Sequence, residues 1–422
     1  MGTEHSHTPK PAPPRVRRLV AILVLPLFAA TVIAAVVLWP RNVPEPDTGG
    51  GPERRFGQVV SIVEEVCQET PDLPEGLPTG PCGTVTVRIT EGADRGIEVP
   101  TPLPAGPGLP KVSVGDEVVL MVLNAADTTE TVEYNIADQQ RGEPLIWVGV
   151  AFALAIIGFG RWRGLAALAG LAASFAILLT FVLPGIQVGK PPLLVAVVGA
   201  ALIMFVVLYL THGLTVQTSV AVLGTLASLI LTGILGTVVT GAAHLTGFGS
   251  EEATTLSVFQ ESLDLHGLLL AGIIIGSLGV LDDVTVTQAA TVSELGYANP
   301  SLTRLQLYRS ATRVGRAHIA STVNTIVLAY AGASLPVLLL IVGSGQAVSE
   351  TLTSEFIAQE IVRSAVATLG LIAAVPITTA LAAVVTAGPA ARKERVAAKR
   401  RRPDRSDTLT ALAERPRHGA WE

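Results

Sequence analysis

Val216 to Thr240 reads VQTSVAVLGTLASLILTGILGTVVT, twenty-five residues without one charge. A bilayer core of about 30 Å needs roughly 20 residues of helix, so this run is long enough to cross it. Seven more apolar runs share its character: Leu19 to Trp39, Leu145 to Gly160, Gly164 to Leu183, Leu193 to Leu210, Leu268 to Leu281, Ile319 to Val342 and Ile361 to Ala387. Leu145 to Gly160 and Leu268 to Leu281 are short and need flanking residues to reach full thickness. Composition agrees, because 49% of the 422 residues are hydrophobic and only 15% charged, well outside soluble averages.

Arg15, Arg17 and Arg18 stand directly before the first run, with a Pro-rich lead ahead of them. That flank predicts a cytoplasmic N-terminus (1–18) and an uncleaved signal anchor over 19–39. Eight crossings then put Arg161, Arg163, Arg304, Arg309, Arg313, Arg316 and the basic tail (389–422) in the cytoplasm. The loops holding Glu251, Glu252, Glu261 and Asp264, and Glu350 and Glu355, fall outside and carry no lysine or arginine, in keeping with the positive-inside rule.

Between Arg54 and Arg141 the apolar residues alternate, as in Val59-Val60-Ser61-Ile62-Val63, Thr84-Val85-Thr86-Val87-Arg88-Ile89 and Val118-Val119-Leu120-Met121-Val122. Alternation predicts strands, and the Pro/Gly-rich segments between them predict turns. Val112 to Val118 reads as strand, turn, strand. The expected fold is thus a membrane all-α helical bundle of about eight transmembrane helices with a small extracytoplasmic all-β domain (54–141), a barrel or sandwich. The seven-helix part covers 144–388. Cys67 and Cys82, the only cysteines, both fall in the exported domain, where a disulfide can form.

Small residues at helical spacing predict where helices approach closely: Ala166, Gly170 and Ser174; Gly224 and Ser228; Gly272 and Gly276. Pro336 and Pro376 lie inside the last two runs and predict kinks.

The polar residues that interrupt apolar sequence are the candidates for function. In GSLGVLDDVTVTQ, Gly276 to Gln288, a glycine-rich run meets Asp282 and Asp283. A continuing helix puts Asp283, Thr287, Ala290 and Glu294 on one stripe, a candidate polar path; the alternative places the aspartates at the cytoplasmic rim, one of them capping a following helix. Arg316 and Asn324 follow in the next run, and an amide there must find a partner on another helix, a ligand or an aspartate. Glu360 and Arg363 stand at ion-pair spacing where the last run begins, a candidate gate or a rim pair. His212, His244, His266 and His318 lack metal-ligand spacing.

Three motifs in order, GIIIGSLGVLDDVTVTQAATVSEL, RVGRAHIASTVNTIVLAYAGASLP and EIVRSAVATLGLIAAVPITTALAA, preceded by THGLTVQTSVAVLGTL, resemble the YibE/F-like membrane proteins. Asp283, Glu294, Gly315, Arg316, Asn324 and Pro376 stand where the family motif is most recognisable. The resemblance implies a multi-pass protein of the bacterial inner membrane and carries no reaction or substrate with it. This chain departs from the family pattern after Arg316, where Ala317 and His318 replace an acid.

Two function classes compete. A transporter or permease for an unidentified ion or small solute suits the intramembrane polar residues, glycine-rich helices and prolines, although the two halves of the bundle show no internal repeat. A non-transporting scaffold or sensor would use the β domain to bind a protein partner. An enzyme is not expected, since HExxH, GxSxG and nucleotide-binding fingerprints are missing. No cofactor and no nucleic acid are expected; the lipid bilayer is an expected partner in either case.

Overall fold

The computed structural model describes residues 13–43, 53–65, 82–92, 94–104, 109–124, 132–249, 251–260, 263–343 and 348–386. The chain divides into two compact units, residues 44–161 and the remainder.

The first unit is built on β1 (Glu53–Glu65), β2 (Cys82–Ile89), β3 (Glu98–Pro102), β4 (Glu117–Asn124) and β5 (Val132–Gln139), all antiparallel, in the order β3-β2-β1-β4-β5. The long β1 serves two neighbours: Glu53 to Gln58 pair with β4, and Gly57 to Glu65 pair with β2. A bulge between Val59 and Ser61 bends it, as bulges do. The bend curls the sheet until β3 and β5, its two edges, come into contact. The connectivity is that of a partly open five-stranded barrel of OB type. Val59, Val85, Val87, Ile89, Val99, Val118, Leu120 and Ile136 fill its interior. The expected strand over Val112 is instead an open stretch, because Gly115 turns the chain at φ +99° just before β4. Cys82 opens β2 and is disulfide-bonded; Cys67 lies outside the described residues. At the far end of β5, Arg141 donates to Asp138 at 2.8 Å and holds that carboxyl below its usual range. Helix α2 (Gly142–Gly160) completes the unit, and none of its residues is buried.

The second unit holds α1 (Pro14–Leu38), α3 (Trp162–Ile177), a π-helical turn at Leu178–Val182 leading into α4 (Leu183–Gln187), α5 (Pro192–His212), α6 (Val216–Ala242), α7 (Glu251–Phe259), α8 (Leu265–Ala298), α9 (Arg304–Ala333), α10 (Leu335–Gly343), α11 (Val348–Leu352) and α12 (Glu355–Thr386). Helices α6, α8 and α12 pack against one another at the centre. Outside them, α5 covers α8, α3 and α1 cover α5, and α9 lies along α12.

Among the described residues, seven helices are long and apolar enough to cross a membrane. They coincide with seven of the eight predicted spans. The exception is Ile319 to Val342, which the structure divides between α9 and α10 at Ser334. The cause is Pro336: without an N–H it cannot continue the ladder, so one helix stops and a new one starts with the proline in its first turn. Pro376, by contrast, lies inside an unbroken α12.

Close approach of the central helices rests on glycine. A Cβ at Gly224 would collide with Thr378 Oγ1 on α12, and one at Gly370 with Thr232 Oγ1 on α6. Gly170 is likewise buried on α3 against Val207 and Thr211 of α5. These bear out Gly170 and Gly224 as packing residues; Gly272 and Gly276 are exposed instead. Five hydroxyls of α6 are satisfied within the helix, with Thr225, Ser228, Thr232, Thr237 and Thr240 each donating to the carbonyl four residues back at 2.8–3.0 Å.

Candidate functional site

Two hydrogen bonds set the register of the central pair. Thr240 of α6 meets His266 of α8 at 3.1 Å, and Thr225 meets Thr285 at 2.6 Å. As α6 ascends, α8 descends. Asp282, one turn before Thr285, is therefore level with the neighbourhood of Ser228, about 18 Å from one end of α6 and about 21 Å from the other at 1.5 Å per residue. Neither aspartate caps a helix: α8 runs unbroken past them, and its N-cap is Asp264, which accepts from Gly267 N at 2.8 Å.

A ring of polar contacts closes around this level. Thr225 and Thr285 join α6 to α8. Gln288, buried one turn further on, donates to Thr379 Oγ1 at 2.7 Å and to the Ala311 carbonyl at 3.0 Å, joining α8 to α12 and α9. Thr378, beside Thr379, lies over Gly224 and closes the ring back to α6. Gly315 makes room for the Gln288 amide, since a Cβ there would stand 2.7 Å from Gln288 Oε1 and 2.7 Å from Val375 Cγ1. Two buried oxygens at this level lack a hydrogen-bond partner among the described residues, Asp282 Oδ1 and Thr378 Oγ1. Buried polar atoms are nearly always paired, so each such orphan calls for an explanation. No ion pair among the described residues involves Asp282.

The structure brings together only some of the residues singled out from sequence. Asp283, Thr287 and Glu294 do share a stripe of α8, but the stripe is exposed on the side away from the ring. Arg316 and Asn324 are exposed on α9, so the expected partner of Asn324 is not found within the described residues. Glu360 and Arg363 pair at 2.9 Å on α12, both partly buried. Gln288, Thr225 and Thr285 went unrecognised in sequence. Spacing carried the signal, for Gln288 follows Leu281 and Val284 at seven and four residues, on the face that is buried.

Residues 148–388 match the family model described as YibE/F-like protein. The chain belongs to the YibE/F-like family. No curated protein and no solved structure matches it. In this YibE/F-like chain the match takes in every helix of the ring and ends before the tail, so the polar ring is built wholly from family sequence. The β barrel lies ahead of it.

At the other end of the ring helices, Glu355 fastens the loop after α6. Its Oε1 accepts from Thr246 N at 2.8 Å, Thr246 Oγ1 at 2.6 Å, Gly247 N at 2.9 Å and Gln359 Nε2 at 3.1 Å. Hydrogen bonds to a carboxylate contribute about 1.5–3 kcal/mol each. Glu355→Ala is therefore expected to speed amide exchange at Thr246 and Gly247 by on the order of tenfold or more, read by hydrogen–deuterium exchange, while the ring helices exchange as before.

Proposed function

We propose that this YibE/F-like protein is a transporter of a small cation, with Asp282 as the group that receives the cargo or coupling ion. The observation that carries the reading is the Asp282 Oδ1 atom of α8, buried without a hydrogen-bond partner among the described residues at a level halfway along α6. A carboxylate oxygen at such depth is costly unless something recurrently meets it. The chemistry of the ring favours a cation: its polar groups are hydroxyls and an amide, and α6 contributes no charged residue at all. Hard cations take oxygen ligands of this kind. Thr378 Oγ1, over Gly224 at the α6–α12 contact, is a second buried oxygen without a hydrogen-bond partner among the described residues. No bond-making step is part of the reading.

The proposed setting is the bacterial inner membrane, with both termini cytoplasmic and the β barrel outside. The arginine distribution supports it, and a disulfide at Cys82 suits an oxidising compartment. An eighth crossing made jointly by α9 and α10 agrees with both.

Purified protein in proteoliposomes, given a panel of protons, alkali and alkaline-earth cations and small organic cations, is expected to carry at least one of them down its gradient above empty liposomes. Absence of flux for the whole panel sinks the transport reading. The β barrel, as the binding module of a scaffold or sensor, would then carry the function.

A further inference from the structure

Along α8, Gly272, Gly276, Gly279, Asp283, Thr287 and Glu294 form an exposed ridge on the side opposite the buried Ile273, Leu281, Val284 and Gln288. A Cβ at Gly272 or Gly279 would meet nothing within 4 Å, so these glycines serve no packing inside the protomer. Glycine ridges in membrane helices serve close approach of another helix, and a free one at this depth is a surface without its partner.

Charge says what the partner is. Asp283 and Glu294 on the ridge are exposed and belong to no ion pair among the described residues. The neighbouring α9 runs antiparallel, as Gly315 against Gln288 and Tyr330 against Gly276 establish. Arg316 is therefore level with Thr287, and Arg313 and Arg309 with Ala290 and Glu294. All three arginines are exposed, and none belongs to an ion pair among the described residues. One flank thus carries unpaired acid on one helix and unpaired base on the next, over the same span of depth. A two-fold axis along the membrane normal sets the acidic helix of each copy against the basic helix of the other, which is the self-complementarity an isologous interface requires.

We infer that the α8–α9 flank is the interface of a homodimer, with the glycine ridge at the crossing and Asp283 of each copy facing Arg316 of the other. Burying Asp283 against a second copy also removes it from lipid, where a carboxylate is not tolerated.

The test is made on the full chain in lipid nanodiscs and native membranes. Wild type is expected at twice the protomer mass, and Gly279→Cys to cross-link on mild oxidation, whereas Ile230→Cys on the exposed side of α6 does not. Gly279→Leu has open space in the protomer, so its melting temperature should match wild type while dimer dissociation rises at least tenfold. Asp283→Arg should lose the dimer, and Asp283→Arg with Arg316→Asp should regain it. A wild-type protomer that is monomeric in the bilayer, or that pairs only with a different protein, overturns the inference. So does a dimer indifferent to Gly279→Leu, or a double reversal that fails to restore the dimer.

Discussion

Asp282→Asn melts at or above the wild-type temperature and carries at least tenfold less flux. The two halves of that result come from one atom. Asp282 Oδ1 is buried without a hydrogen-bond partner among the described residues, and an aspartate at the centre of a membrane helix costs on the order of 2.5–3.5 kcal/mol. An amide of the same size removes the charge and is expected to stabilise the bundle by about 1–3 kcal/mol, a rise of a few degrees for a domain of this size. Flux falls because an amide can neither balance a cation nor take up a proton. Thermal unfolding in detergent and uptake in proteoliposomes measure the two effects on one preparation. A residue that merely holds the fold would show the opposite pattern, a lower melting temperature with flux per folded molecule preserved, and that outcome removes Asp282 from the proposed site.

Gly224→Ala should be strongly destabilising for a single added methyl. The added carbon would collide with Thr378 Oγ1 and lie 3.1 Å from Thr378 Cβ. Both belong to a tight crossing of two central helices. Overpacking of this kind costs about 1–3 kcal/mol, and here it also parts the ring at its α6–α12 contact. The remedy is specific. Thr378→Ala removes the hydroxyl and methyl that obstruct the new carbon, and Thr378 Oγ1 has no hydrogen-bond partner among the described residues to lose. The double variant is therefore expected to recover more than half of the lost stability, read as melting temperature in detergent. Additive losses in the double variant would contradict the packing described for this crossing.

The sequence made the helices legible because the bilayer imposes a length and a polarity on each, and the strands legible because alternation survives in β1, β2 and β4. It could not reveal that Ser334 divides α9 from α10: Pro336 is equally compatible with a kink, and Pro376 shows a helix running through. Gly272 and Gly276 carry the same spacing as Gly224 and Ser228, yet a Cβ at Gly272 would meet nothing and one at Gly276 only the end of Tyr330, whereas Gly224 is closed off by Thr378, since spacing identifies a face and not what lies opposite. For the same reason Asp282 and Asp283, adjacent in the chain, part company in space, one with a buried carboxylate oxygen and the other on the exposed ridge. Gln288 was hidden because its role depends on two other helices contributed more than twenty and ninety residues later.

The hydroxyl ladder of α6 bears on how the protein is made. From Thr225 to Thr240 each of its buried hydroxyls donates to its own helix and no charge interrupts it, so α6 can leave the translocation machinery and stand alone in lipid as soon as it is synthesised. Helix α8 cannot do so at the same ease with two aspartates in its middle. Chain order therefore matches energetic order: the self-sufficient helix enters first, and its bared Gly224 face and Thr225 hydroxyl wait as the dock on which the costly helices, α8 and then α12, are accepted into the bilayer.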